Sequence, residues 1–159
     1  MSPAPRAGHQ RTSMRVAGEL YNYFRERNCE VFFAPFDVRL PNPGYEPGFN
    51  SNVHTVVQPD ICVICDPAKI DEFGCIGAPD WIIEITSPST HKKDFNEKFD
   101  LYESAGVREY WIAVPKSAEL YAYTLVGDRY EETAVYEKRS RATSSIFPEL
   151  GFDIDWIFG

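Results

Sequence analysis

Two short segments of this chain are apolar on both faces, and one helix-length stretch separates them. The first runs from Ala78 to Thr86 and contains Trp81-Ile82-Ile83-Glu84-Ile85. The second is Tyr110 to Val114, stopped by Pro115. Strands without polar alternation belong at the centre of a sheet covered on both sides. Between them, Asp94 to Ala105 reads as a helix, with Asp94 and Glu97 spaced as a capping box and Gly106 as its C′ residue. A strand, a helix and a strand at this spacing form a β-α-β crossover, so the two strands are expected to be parallel.

The remaining elements fit around that unit. His9 to Arg27 has apolar residues at three- and four-residue steps (Met14, Ala17, Leu20 or Tyr21, Phe24) and is read as a helix ending near Asn28. Glu30 to Leu40 is strand-like, with Pro35 marking a bulge or an edge. Pro41 to Asn52 is a loop by its prolines, glycines and asparagines. Val53 to Cys65 reads as one long strand. Leu120 to Val126 and Arg129 to Tyr136 alternate around Gly127-Asp128, a hairpin signal, and Phe152 to Phe158 adds a last short element. The expected fold class is α/β, a mixed β-sheet flanked by helices. With 159 residues, 43% of them hydrophobic, the chain is read as one domain, residues 1–159.

Composition narrows the function classes. The formal net charge of −8 argues against gripping nucleic acid through a wide basic surface. A divalent cation can still neutralise phosphate locally. No apolar stretch approaches a membrane span, and Met1 to Ser13 lacks the apolar run of a secretory signal. Cys62 and Cys65 have the C-x-x-C spacing of zinc and redox sites, but residues three apart in a strand point to opposite faces. All four cysteines, Cys29, Cys62, Cys65 and Cys75, are therefore expected to be reduced core residues in a cytoplasmic protein.

Charged residues inside these apolar elements carry the functional signal. Glu84 sits among Trp81, Ile82, Ile83 and Ile85, where an acid must be paired, protonated or metal-bound. Asp60 lies within Val56-Val57-Gln58-Pro59-Asp60-Ile61-Cys62-Val63-Ile64, after a proline that interrupts strand pairing. Lys98 shares one helical stripe with Phe95, Tyr102 and Ala105. Each has a structural alternative: a buried ion pair for Glu84, a turn residue for Asp60, a snorkelling lysine for Lys98. Together they make a kit for metal-assisted phosphodiester hydrolysis. Two carboxylates and the backbone carbonyl of Ile85 hold a hard cation, and a lysine binds phosphate or helps activate water. His9 at the helix start, with Gln10 or Glu19, is a weaker candidate. His54 and His91 lie in loop-like surroundings, and Ser87-Pro88-Ser89 is read as a strand-to-helix turn that shapes the pocket.

The sequence Pro59-Asp60, then Glu84-Ile85-Thr86-Ser87-Pro88-Ser89, Asp94, Lys98, Tyr102 and Gly106-Val107-Arg108-Glu109-Tyr110-Trp111 resembles the Uma2 family. These are bacterial restriction-endonuclease-like proteins of the PD-(D/E)XK nuclease superfamily. The resemblance implies a restriction-endonuclease-like α/β core with Asp60 and Glu84 as magnesium ligands. The superfamily motif places its lysine where Thr86 stands here, and the family resemblance assigns that role to Lys98. Relatives also carry an upstream hairpin segment; this chain is expected to lack it, and an open sheet edge is expected in consequence.

The resulting expectation is a Mg²⁺- or Mn²⁺-dependent endonuclease acting on nucleic acid, DNA foremost. The alternative is a catalytically inactive binding or regulatory protein of the same fold. An open edge and an abundance of aromatic residues (11 Phe, 9 Tyr, 3 Trp) lead to the expectation of a homodimer or larger assembly.

Overall fold

The structure, a computed structural model, describes residues 6–42 and 54–159. The stretch read as a loop falls mostly within 43–53, outside the described residues. The chain begins with α1 (Ala7–Phe24), β1 (Glu30–Phe33), β2 (Val38–Pro41) and β3 (His54–Val57). It continues through β4 (Ile61–Ile64), β5 (Ile70–Asp71), β6 (Gly74–Ile76) and β7 (Trp81–Ile85). Two helical segments follow, α2 (His91–Phe95) and α3 (Glu97–Ala105). Strands β8 (Glu109–Val114), β9 (Glu119–Val126) and β10 (Arg129–Tyr136) come next. The last elements are β11 (Arg141–Thr143), β12 (Gly151–Asp153) and α4 (Ile154–Phe158).

The principal sheet has six strands in the order β1-β4-β7-β8-β9-β10. The pair β7 and β8 is parallel, as the crossover requires, and the other pairs are antiparallel. Alternation along the central strands divides the core in two. Trp81, Ile83, Ile85 and Trp111 face α1 and the C-terminal elements, where Leu20, Phe152 and Ile157 pack. Ile82, Tyr110 and Ile112 face the crossover helices and Tyr102. Gly106 closes α3 with φ of 86°, a left-handed conformation that glycine adopts without a Cβ penalty.

Several expectations are corrected. The segment Glu30 to Leu40 is two strands, not one, with Pro35 between them. Val53 to Cys65 likewise divides at Gln58-Pro59-Asp60. Its first half, β3, joins a second sheet of order β3-β2-β6-β5, while β4 enters the principal one. Proline cannot donate to a ladder, so both breaks fall where sequence shows one. On α1 the buried stripe is Thr12, Val16, Leu20 and Phe24, a four-residue step, and Met14 is 72% exposed. Asp94 does not cap a helix. It lies inside α2, is buried, and α3 starts anew after Asn96.

The cysteine reading is also overturned in part. Cys29 and Cys65 form a disulfide, while Cys62 and Cys75 are free and buried. Glu30 pairs with Ile64 in antiparallel register, so the residues flanking that pair, Cys29 and Cys65, fall opposite each other. The disulfide removes reduced cysteines as an argument for a cytoplasmic address. Cys62 and Cys65 do diverge to opposite sides of the sheet, as their spacing requires. Among the described residues, no helix is long and apolar enough to cross a membrane.

Candidate active site

The strand register brings Asp60 and Glu84 together. β4 runs antiparallel to β7 with Ile61 opposite Ile83, which sets Asp60 level with Glu84 at one end of the sheet. The Asp60 N–H donates to Glu84 Oε1 at 2.7 Å, and the Ile85 N–H donates to Asp60 Oδ2 at 2.8 Å. Each carboxylate is thus held by the other strand's backbone. Glu84 alternates onto the face that α3 covers, where Lys98 Nζ donates to Glu84 Oε2 at 2.6 Å and Tyr102 Oη donates to the same oxygen at 3.3 Å. Lys98 also pairs with Asp94 Oδ1 at 3.1 Å. Asp94 and Lys98 are four apart, so α2 and the start of α3 present both inward.

The cluster has a sharp gradient of burial. Glu84 and Asp94 side chains are 1% and 2% exposed, while Asp60 and Lys98 retain 24% and 23%. Burial pushes the Glu84 carboxyl above its ordinary range; Lys98 pulls it back, and the neighbouring acids push it further up. Burial by itself would lower Lys98, but the adjacent Glu84 and Asp94 carboxylates outweigh it, so the amine is raised and stays charged. The two directions oppose each other, since one favours neutral Glu84 and the other an ion pair. The 2.6 Å contact to a charged ammonium decides for the ionised carboxylate. Glu84 and Asp94 then share one lysine, and Asp60 faces His9 instead.

His9 belongs to the site and received little weight from the sequence. The start of α1 places its Nε2 at 3.6 Å from Asp60 Oδ2, an ion-pair distance rather than a hydrogen bond. Asp60 raises the imidazole above its ordinary value, burial opposes this, and the Ile85 backbone adds to the rise. His9 Nδ1 is buried without a hydrogen-bond partner. The one available signal was Gly8-His9-Gln10 at a helix start. Gln10 borders a cavity beside His9, and His91 lines the cavity on the other side. Ser87 Oγ lies within hydrogen-bonding distance of Ser89 and Thr90, and these residues shape the turn after β7.

The donor set suits a hard divalent cation. Carboxylates and a carbonyl are its preferred ligands, and the surplus of acids over Lys98 leaves negative charge for a cation to balance. Among the described residues no three His, Cys, Asp or Glu side chains form a ready cation cage. The protein would therefore supply few ligands and leave the others to water and phosphate, as magnesium sites commonly do.

Comparison with known proteins follows the same lines. The profile of the Uma2 family, described as "Putative restriction endonuclease", matches residues 1–155. An uncharacterised protein of Synechocystis sp. is 25% identical over 116 residues, which span 72% of this chain and 56% of that protein, so the chain matches only about half of that relative's length. A crystal structure from Anabaena variabilis, titled as a "putative nuclease belonging to DUF820", superposes with a TM-score of 0.74 at 20% identity. That superposition covers 99% of this chain and 84% of the other, and it shows that the two share a restriction-endonuclease-like α/β fold.

Proposed function

The chain belongs to the Uma2 family, and from that premise we propose that it is a Mg²⁺- or Mn²⁺-dependent endonuclease hydrolysing phosphodiester bonds of nucleic acid. The observation that carries the reading is the meeting of Asp60, Glu84 and Lys98 at one end of β7. Asp60, Glu84 and the Ile85 carbonyl would hold the cation. When bound, it would polarise the phosphoryl oxygen and lower the pKa of an attacking water.

The protein's own groups divide the remaining work. Lys98 keeps Glu84 ionised and in place. Its ammonium, 2.6 Å from Glu84 Oε2, acts electrostatically, toward Glu84 and toward charge developing on phosphate. Tyr102 fixes Glu84 Oε2 from the buried side. Ile85 N–H orients Asp60. DNA is the expected substrate. The chain is expected to act as a homodimer, and β10, the outermost strand of the principal sheet among the described residues, is where a second copy would pair.

A second reading, a nuclease-fold protein that binds without cutting, is favoured by the occupied Glu84 oxygens and the net charge of −8. A cleavage assay on single-stranded, duplex and RNA substrates, with and without Mg²⁺ or Mn²⁺, decides between them. Metal-dependent products that vanish in Asp60→Ala support the enzyme. Absence of products with wild-type protein on every substrate removes it.

A further inference from the structure

Two cavities meet at His9, and their linings differ in kind. One, about 900 Å³, lies against the ends of β7 and β8. Its cations are Arg6, Lys92 and Lys116, with Ser87 among its polar groups and no acidic side chain among the described residues of its lining. On a chain of net charge −8 this is a local concentration of positive charge. The other, about 420 Å³, has Asp60 in its wall and is otherwise mainly apolar: Met14, Ala17, Phe33, Ala34 and Pro35. Met14 is 72% exposed and Phe33 68%.

The backbone at Phe33 is held in place. It pairs with Ile61 at the end of β1, and the next residue, Ala34, donates its N–H to the Asp60 carbonyl at 3.0 Å. The backbone that carries this exposed ring is therefore anchored to the backbone of a candidate metal ligand. Cationic side chains on one side of Asp60 and an aromatic ring on the other match the two parts of a nucleotide. Phosphate takes the charge, and an unpaired base takes the ring. A duplex presents no free base face, and it needs a broad basic surface that this chain does not have.

We propose that this cleft takes single-stranded nucleic acid, with phosphates in the cation-lined cavity and a base stacked on Phe33 beside Asp60. The proposal deepens the nuclease reading and rests on it for the position of the scissile bond. Met14 flanks the base, and Lys116 and Lys92 set the path of the backbone.

The test is fluorescence anisotropy with labelled short oligo-dT, oligo-rU and a DNA duplex in Ca²⁺, with cleavage measured in parallel in Mg²⁺ and Mn²⁺. Single strands are expected to bind more tightly than duplex. Whichever of the DNA and RNA strands binds better identifies the sugar. Phe33→Ala should weaken single-strand binding about fivefold to hundredfold, the range of one lost base stack. Phe33→Trp should preserve it, with indole fluorescence quenched on binding. Lys116→Ala should lower the salt slope by about one. Val126→Ala, in the hairpin of β9 and β10, should change nothing. Duplex binding as tight as single-strand binding, or Phe33→Ala equal to wild type, overturns the proposal while metal-dependent cleavage leaves the nuclease reading standing. Phe33-dependent binding without cleavage does the reverse. No binding to any probe removes both.

Discussion

Replacing Lys98 by methionine keeps the length of the side chain and deletes its charge. In the folded protein this leaves Glu84 and Asp94, 1% and 2% exposed, without the ammonium that lies 2.6 and 3.1 Å from them. Removing one member of a buried pair typically costs about 3–5 kcal/mol. Lys98 itself is 23% exposed, so the lower end applies, about 3 kcal/mol. For a chain of this size that corresponds to a fall in Tm of roughly 6–12 °C. The buried acids around the amine make the fold sensitive to this substitution. The sign of the pH dependence follows from Glu84. Without Lys98, burial and the neighbouring acids raise its folded pKa further above the unfolded value, so stability present at low pH is lost as pH rises. The gap between variant and wild type should therefore be wider at pH 8.5 than at pH 6. Adding Glu84→Gln to Lys98→Met should recover much of the loss, because the stranded charge is gone. Calorimetry or circular dichroism melting of the four proteins reads all of this. Cleavage by Lys98→Met should fall on the order of a hundredfold from lost transition-state stabilisation. A variant melting within about 2 °C of wild type at pH 8.5 would mean the lysine only snorkels, and the ion-pair argument fails.

Other outcomes are expected. Mn²⁺ binding followed by calorimetry or electron paramagnetic resonance should be weak in wild type and about tenfold weaker in Asp60→Asn; equal affinities would exclude Asp60 as a ligand. Glu109 is fully buried, and desolvation raises its carboxyl despite donors from Ser144, Ser145 and Trp111. Its contribution to stability is present below the unfolded pKa and lost as pH rises. Glu109→Gln should thus melt near wild type at pH 4.5 and gain on it toward pH 7, and parallel curves would contradict this. Thiol titration of the denatured chain without reductant should find two groups, Cys62 and Cys75, and four after reduction. Light scattering at tens of micromolar should give a dimer mass, and a clean monomer would count against pairing through β10.

The buried crossover was legible from sequence because continuous apolar runs are a local property of the chain. Trp81 to Ile85 and Tyr110 to Val114 could only be central strands, and the helix between them made them parallel. Glu84 announced itself for the same reason, as one charge in an otherwise apolar strand, and Lys98 by its helical stripe. Other features depended on where one segment lies against another. The level of Asp60 with Glu84 is a matter of strand register. The Cys29–Cys65 bond needs β1 beside β4, a pairing that no local pattern encodes. Asp94 satisfies a capping rule in sequence, yet tertiary packing buries it and turns it toward Lys98, where an ion pair outweighs a helix end. The aromatic abundance that suggested an interface is largely consumed in the core, with Tyr102, Tyr110 and Tyr123 on one face and Trp81, Trp111 and Phe152 on the other. His9 and Phe33 became neighbours of Asp60 only when α1 and β1 closed on the sheet. Sequence determines which residues must leave water or carry charge, because that is chemistry at a single position. Which charges meet, and which rings stay exposed, is decided by long-range packing.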